Sequence, residues 1–284
     1  MKSATPNDAN EPALVIRFWG TGGGIAAHGA ERQRYGGHTP CVEVRCGPHL
    51  LILDAGTGLR LLGDELVAGG EPVDADILLS HTHLDHVVGI GFFQPLYRPT
   101  STLRFHAGHL PPGGLRQVVH TVLTHPLAPD LLNVARARLQ FHEFAPRDDL
   151  NLRPGLTVRT AALRHPGGAT GYRIMWNAQS VVYITDTEHD PEQPDSNVLE
   201  LIRDADAMIY DTSYTDEEFE TRRGWGHSTW QEAIRLADAA RVSKLILFHH
   251  NTARTDEALD RIASEAARAR PGTISSFDGL VVTL

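Results

Sequence analysis

Cysteine is scarce in this sequence, with Cys41 and Cys46 the only two among 284 residues. Both lie in the segment CVEVRC, where their odd separation puts them on opposite faces of a strand. No intrachain disulfide is expected between them, and reduced thiols in a cytosolic compartment fit. Apolar runs of membrane-spanning length are missing too. The opening MKSATPNDANEP is polar, lacks the apolar core of a signal peptide, and reads as a disordered tail over residues 1–12. A soluble, cytoplasmic protein with no membrane partner is expected, residues 13–284 forming one domain. Positive charge is also short, since 26 Lys and Arg stand against 35 Asp and Glu, giving −9 with histidines neutral. A broad nucleic-acid face needs a basic surplus, so no large nucleic acid is expected as a partner. A small anionic substrate stays open, because bound cations would dominate the local field.

What is present is a concentration of histidine. The stretch His81-Thr82-His83-Leu84-Asp85-His86 follows the apolar run Ile77-Leu78-Leu79-Ser80, where a buried strand gives way to a loop. Polar side chains that share a buried site must be paired or bind a metal. Imidazole and carboxylate suit zinc when thiolates are absent, and manganese or iron accept the same set. His81 and His83 point the same way in an extended loop, so both can reach one ion. Asp85 and His86, further along the turn, could reach a second. A pair of ions would polarise a substrate and hold a hydroxide between them.

Further ligands must come from elsewhere, and polar residues that follow apolar strands are the candidates. These are His165 after Val158–Leu163, Asp186 after Val181–Thr185, and His249 after Leu245–Phe248. Taken alone, each has a plain alternative: a surface hydrogen bond for His165, a turn in Thr-Asp-Thr for Asp186. Their recurrence at strand ends makes a joint site more credible than any one of them does.

Strands are expected at 13–19, 41–46, 49–53, 75–80, 156–163, 171–176, 180–185, 206–210, 244–248 and 277–283. Helices are expected at 59–68, 113–123, 130–138, 196–203, 228–240 and 256–269. Strand-rich stretches open each half and strand–helix alternation closes it. This suggests two sheets packed together with helices outside, a four-layer αββα sandwich of the α/β class. The glycines Gly20 to Gly24 lack the remainder of a nucleotide-binding fingerprint and read as a tight loop beside a pocket. Asp54 either orients a metal-binding histidine or shapes the turn before Gly56. His38 is a loop residue near the pocket, while His125, His142 and His189 read as surface.

H-x-H-x-D-H after a strand, with a later His, Asp and His, resembles the metallo-β-lactamase superfamily over most of the chain. Phe18-Trp19-Gly20-Thr21-Gly22, Asp54-Ala55-Gly56, Gly226-His227-Ser228-Thr229 and Leu245 to His249 are similar to its ribonuclease Z-like phosphodiesterase branch. That resemblance implies two divalent ions, zinc first with manganese or iron as alternatives. One would be held by His81, His83, His165 and Asp186, the other by Asp85, His86, Asp186 and His249, with Asp186 bridging. His250 competes for the last position, and the L-I-L-x-H frame favours His249. Relatives often form dimers, so a homodimer is allowed for.

His227 precedes two overlapping capping signatures in Ser228-Thr229-Trp230-Gln231-Glu232, at the mouth of a helix whose stripe Trp230, Ile234 and Ala237 faces inward. The resemblance makes His227 the donor of a proton to the leaving oxygen, assisted by a carboxylate at Asp211, where the family has the longer Glu. Asp85 would orient or deprotonate the attacking water. The expected activity is metal-dependent hydrolysis of a small phosphodiester, such as a cyclic nucleotide, through a metal-bridged hydroxide. A lactone or strained ester is the runner-up, and a non-catalytic metal-binding module the reading from another class. Transfer-RNA 3′ processing is less favoured. Those enzymes carry a long arm between the positions of His165 and Asp186, and here that gap is only Pro166 to Thr185.

Overall fold

In the computed structural model, which describes residues 13–284, the apolar strands send alternate side chains into two different cores. The first sheet runs β16 (Val281–Thr283), β1 (Leu14–Gly20), β3 (Cys41–Cys46), β4 (His49–Leu53), β5 (Asp74–Leu79), β6 (Thr102–Ala107) and β7 (Arg138–Glu143). The second runs β15 (Ile274–Ser275), β13 (Lys244–Phe248), β12 (Ala207–Asp211), β11 (Gln179–Ile184), β10 (Ala169–Trp176), β9 (Leu156–Leu163) and β8 (Asp149–Arg153). Each sheet passes from antiparallel to parallel pairing. The change comes at β4–β5 in the first and at β11–β12 in the second. A two-strand pair, β2 (Gly22–Gly23) with β14 (His250–Asn251), ties loops of the two halves together.

In β4, Leu51 and Leu53 enter the core between the sheets, while Leu50 and Ile52 face the helices. β13 does the same in the other sheet, with Ile246 and Phe248 inward and Leu245 and Leu247 outward. Strands apolar on both faces need cover on both. On the first sheet it comes from α1 (Gly58–Ala68) and α3 (Gly114–Leu123), through Leu59, Leu62, Leu115 and Val119. On the second it comes from α4 (Ser196–Ile202), α6 (Trp230–Ala239) and α7 (Asp256–Ala269). The result is the αββα sandwich. Two short helices, α2 (Leu84–Val87) and α5 (Asp216–Phe219), lie in the loops above the strand ends. Cys41 and Cys46 are buried in separate cores as free thiols.

Some expectations need correction. Residues 130–138 form no helix; a single 3-10 turn at Leu131–Asn133 leads into β7, whose Leu139 and Phe141 pack under α3. The last strand begins at Val281, because Phe277–Leu280 turns to put Asp278 against the 21–38 loop. α6 starts at Trp230 since Thr229 is its cap, its hydroxyl accepting from Glu232 N–H. The expected tail, residues 1–12, lies outside the described residues. Among the described residues no helix is long and apolar enough to cross a membrane.

Candidate metal centre

The carboxyl ends of parallel strands gather polar groups at one edge of the sandwich, the usual ligand edge of α/β sheets. β5 delivers Ser80 to His86, β11 delivers Asp186, β12 ends at Asp211, and β13 delivers His249. Asp54, Asp186 and His249 adopt left-handed backbone, with φ of 59°, 51° and 59°. Non-glycine residues in that region store strain and cluster at functional sites. Here all three turn side chains sharply off a strand end toward a common point.

His81, His83 and His165 offer nitrogens within 4.8 Å of one another, and Asp85, His86 and His249 form a second such group. Asp186 lies between them. Its Oδ1 is 3.3 Å from Nε2 of His86 and of His249, whereas its Oδ2 is 3.7 Å from His81 Nε2 and 3.9 Å from His165 Nε2. Asp85 Oδ2 adds contacts of 3.3 Å and 3.5 Å to His86 and His249. His83 Nδ1 faces His165 Nε2 at 3.0 Å. Every residue expected to hold an ion is therefore in the cluster.

Each inner nitrogen is aimed by what its outer nitrogen touches. His86 Nδ1 donates to Asp54 Oδ2 at 2.8 Å, His165 Nδ1 donates to Gly226 O at 2.8 Å, and His249 Nδ1 lies 3.0 Å from Ser213 Oγ. Asp54 is itself held by Ser80 N–H, Ser80 Oγ and Tyr183 OH. Of its two readings, the orientation of a cluster histidine is what the contacts show. Meanwhile Nε2 of His81, His86 and His249 is buried without a hydrogen-bond partner among the described residues. Unsatisfied buried polar atoms are rare and need a reason. Three in one cluster, each with its other nitrogen engaged, suit a divalent ion bound by nitrogen and oxygen. The residues fit the group.

Charge is unevenly placed in the cluster: although burial opposes it, Asp186, Asp54 and Asp85 hold His86 well above the usual imidazole value. Burial alone would raise the Asp186 pKa, yet His249, His86 and His81 around it hold the carboxyl well below its ordinary range. Burial, reinforced by His86, drives His81 well below the usual imidazole value and keeps it neutral, the form that binds metal.

The glycine-rich loop is explained by close approach. A Cβ on Gly23 would lie 2.2 Å from His249 Cε1, and Gly24 N–H donates to Asp85 Oδ2 at 2.7 Å. Gly226, at φ 84°, passes equally close to the His165 ring.

Beside the cluster, His227 stacks on His249 with centroids 5.1 Å apart, and its Nδ1 meets Asp211 Oδ2 at 2.9 Å. Burial opposes charge on this imidazole, but Asp211 outweighs it and lifts the pKa to about 9. Asp211 also accepts from Ser213 N–H and Oγ. His250 turns away, its Nε2 bonded to Ser276 O, so His249 is the one in the cluster. His38 bonds Thr57 and stands outside both groups. His189 is not a surface residue. It is buried, with Nδ1 2.8 Å from Ser228 Oγ and its ring stacked on Phe219. Ser213 and Tyr183 were not singled out from the sequence; Ser213 stands two residues beyond Asp211, a spacing that could have flagged it.

The family described as Beta-lactamase superfamily domain matches residues 49–250. A ribonuclease Z of Bradyrhizobium sp. (strain ORS 278) is 26% identical over 310 aligned residues, covering 93% of this chain and 98% of that protein. The metallo-beta-lactamase fold protein YhfI of Bacillus subtilis has a TM-score of 0.72 at 21% identity, across 96% of this chain and 100% of its own. A diphosphatase of the PhnP family has a TM-score of 0.67 at 18% identity, across 95% and 97%. The family match takes in every strand end that feeds the cluster, and the chain belongs to the beta-lactamase superfamily as a metal-dependent hydrolase.

Proposed function

We propose that this chain hydrolyses small phosphodiesters at a two-ion centre, with His227 as the general acid. The observation that carries the reading is the division of Asp186, one oxygen toward each imidazole group, with the His227–Asp211 pair directly alongside. His81, His83, His165 and Asp186 would hold one ion, and Asp85, His86, Asp186 and His249 the other. Divalent ions there would supply a hydroxide near neutral pH and neutralise charge on the phosphoryl oxygens.

The chain's own residues do the rest. Asp85, fixed by Gly24 N–H, would orient the attacking water. Asp211 is a positioning residue: by engaging Nδ1 of His227 it leaves Nε2 free to give a proton to the departing alkoxide. The relatives named ribonuclease Z and the PhnP-family diphosphatase support chemistry at phosphorus over a carbonyl. The ribonuclease Z names also favour a second reading, transfer-RNA processing. Against it, Pro166–Thr185 holds only a turn, β10 and β11, with no arm, and the chain is acidic.

The test is a screen on metal-quantified protein, covering cyclic mono- and dinucleotides, bis-p-nitrophenyl phosphate, lactones and a precursor tRNA. The expected result is turnover of small diesters that His227→Ala suppresses without loss of metal. Turnover of lactones alone would contradict the reading, and preference for precursor tRNA would establish the second one. Inactivity toward every ester with zinc and manganese would point to a binding module.

A further inference from the structure

Two cavities flank the imidazole cluster, and their walls differ in character. One, of about 470 Å³, is lined by Arg164, His165, Glu188, His189, Arg223 and Gly226. Its walls carry charged groups among prolines and glycines, and exposed Trp225 stands next to Gly226. The other, also about 470 Å³, opens between the 82–87 turn and α3 and is walled by Leu84, Leu110, Val118, Val122 and Leu127. Both volumes suit a small ligand.

The apolar groove borders the turn that carries the cluster, and no cluster residue is among its lining residues. Thr82 and Leu84 line it and alternate with His81, His83 and Asp85 along the same turn. Leu84 is 65% exposed and Leu127 62%. Apolar surface left open beside a reactive centre is what a ligand's apolar part would cover. The groove has few polar groups to offer a sugar or a second phosphate, with Thr82, Gln117 and Thr121 the polar side chains that line it among the described residues.

We propose that this groove binds the retained ester group of the substrate, and that the substrate class is a phosphodiester with one apolar alkyl or aryl ester. This rests on the phosphodiesterase reading above and narrows it. His227 follows Gly226, a wall of the charged cavity, so the leaving alcohol departs on that side. The retained ester then points into the groove. The water oxygen bonds to phosphorus, and the bond from phosphorus to the leaving oxygen breaks with its electron pair. His227 protonates that oxygen, leaving a phosphate monoester of the apolar alcohol.

Methyl, butyl and hexyl p-nitrophenyl phosphates test this on metal-loaded full-length protein. The expected kcat/KM rises about twofold per methylene, roughly 30-fold from methyl to hexyl, through KM. Leu127→Asp should flatten that rise, as loss of a partly exposed apolar contact predicts. Gln117→Glu, at another lining position, provides a second variant with the same expected flattening. A flat series in a wild-type protein that hydrolyses the methyl ester would overturn the groove assignment and leave the phosphodiesterase reading standing. Inactivity toward all three diesters with zinc and with manganese would sink both. If Leu127→Asp kept the chain-length rise and instead changed the oligomeric state in light scattering, the groove would be covered by a second copy, and the proposal would be wrong.

Discussion

The two sheets have the same plan, yet they feed the site in different ways. The first delivers four cluster residues from one six-residue turn after β5, with Asp54 on the neighbouring strand end holding His86. The second delivers one residue per strand end: His165, Asp186, Asp211 and His249, with His227 arriving from the loop before α6. A contiguous turn sets much of its own geometry, and few supports suffice to fix it: Asp54 holds His86 and Gly24 N–H holds Asp85. Scattered residues need separate supports, and each has one. Gly226 O holds His165, Thr185 Oγ1 donates to Asp186 at 2.7 Å, and Ser213 braces His249. Concentration and dispersal reach the same end, a set of donors with fixed aim.

If the halves build one centre, removing a ligand from either should be equally damaging. His86→Ala and His249→Ala are each expected to lose more than about a hundredfold in metal affinity, beyond the effect typical of an outer hydrogen-bond partner, and turnover with it. Metal titration of both variants checks this; full occupancy in one of them would divide the halves. His227→Ala should cost about 10²–10⁴ in kcat toward a diester with metal content unchanged. Metal loss in that variant would make His227 a ligand of the second half.

The supports come next. Asp54→Asn and Ser213→Ala are each expected to weaken metal binding about tenfold, and competition with a chelator measures it. A much larger effect at Asp54 would show that the contiguous turn depends on Asp54 more than the dispersed residues depend on any one of their supports. Thr229→Ala removes the α6 cap and should cost ~1 kcal/mol of stability. Denaturant unfolding reads that, while diester turnover at low temperature stays near wild type.

The same contrast decides what was legible in the sequence. His81 to His86 stood out because six consecutive residues carried the signal. His165, Asp186 and His249 were readable only as polar residues after apolar strands, which becomes a site once the strands are known to end at one edge. The αββα layering followed from strand-rich stretches that open each half and the strand–helix alternation that closes it. Less visible was whatever depended on distant partners. The 130–138 stretch has helical composition, but pairing of the following residues with β6 wins, and Leu139 and Phe141 already alternate as a strand does. His189 looked like a surface residue because Ser228 and Phe219, 39 and 30 positions away, are what bury it. Tyr183 was silent for the same reason, its partner Asp54 lying 129 positions away, whereas Ser213 had only its two-residue spacing from Asp211 to flag it.

Asp186, with one oxygen toward each imidazole group, is proposed to join the two halves into one two-ion centre. Metal quantification of wild type and Asp186→Ala, each loaded with zinc and dialysed identically, tests it most directly. Two ions per wild-type chain and neither retained in the variant, with turnover lost in step, are expected. A variant that kept both ions would contradict it.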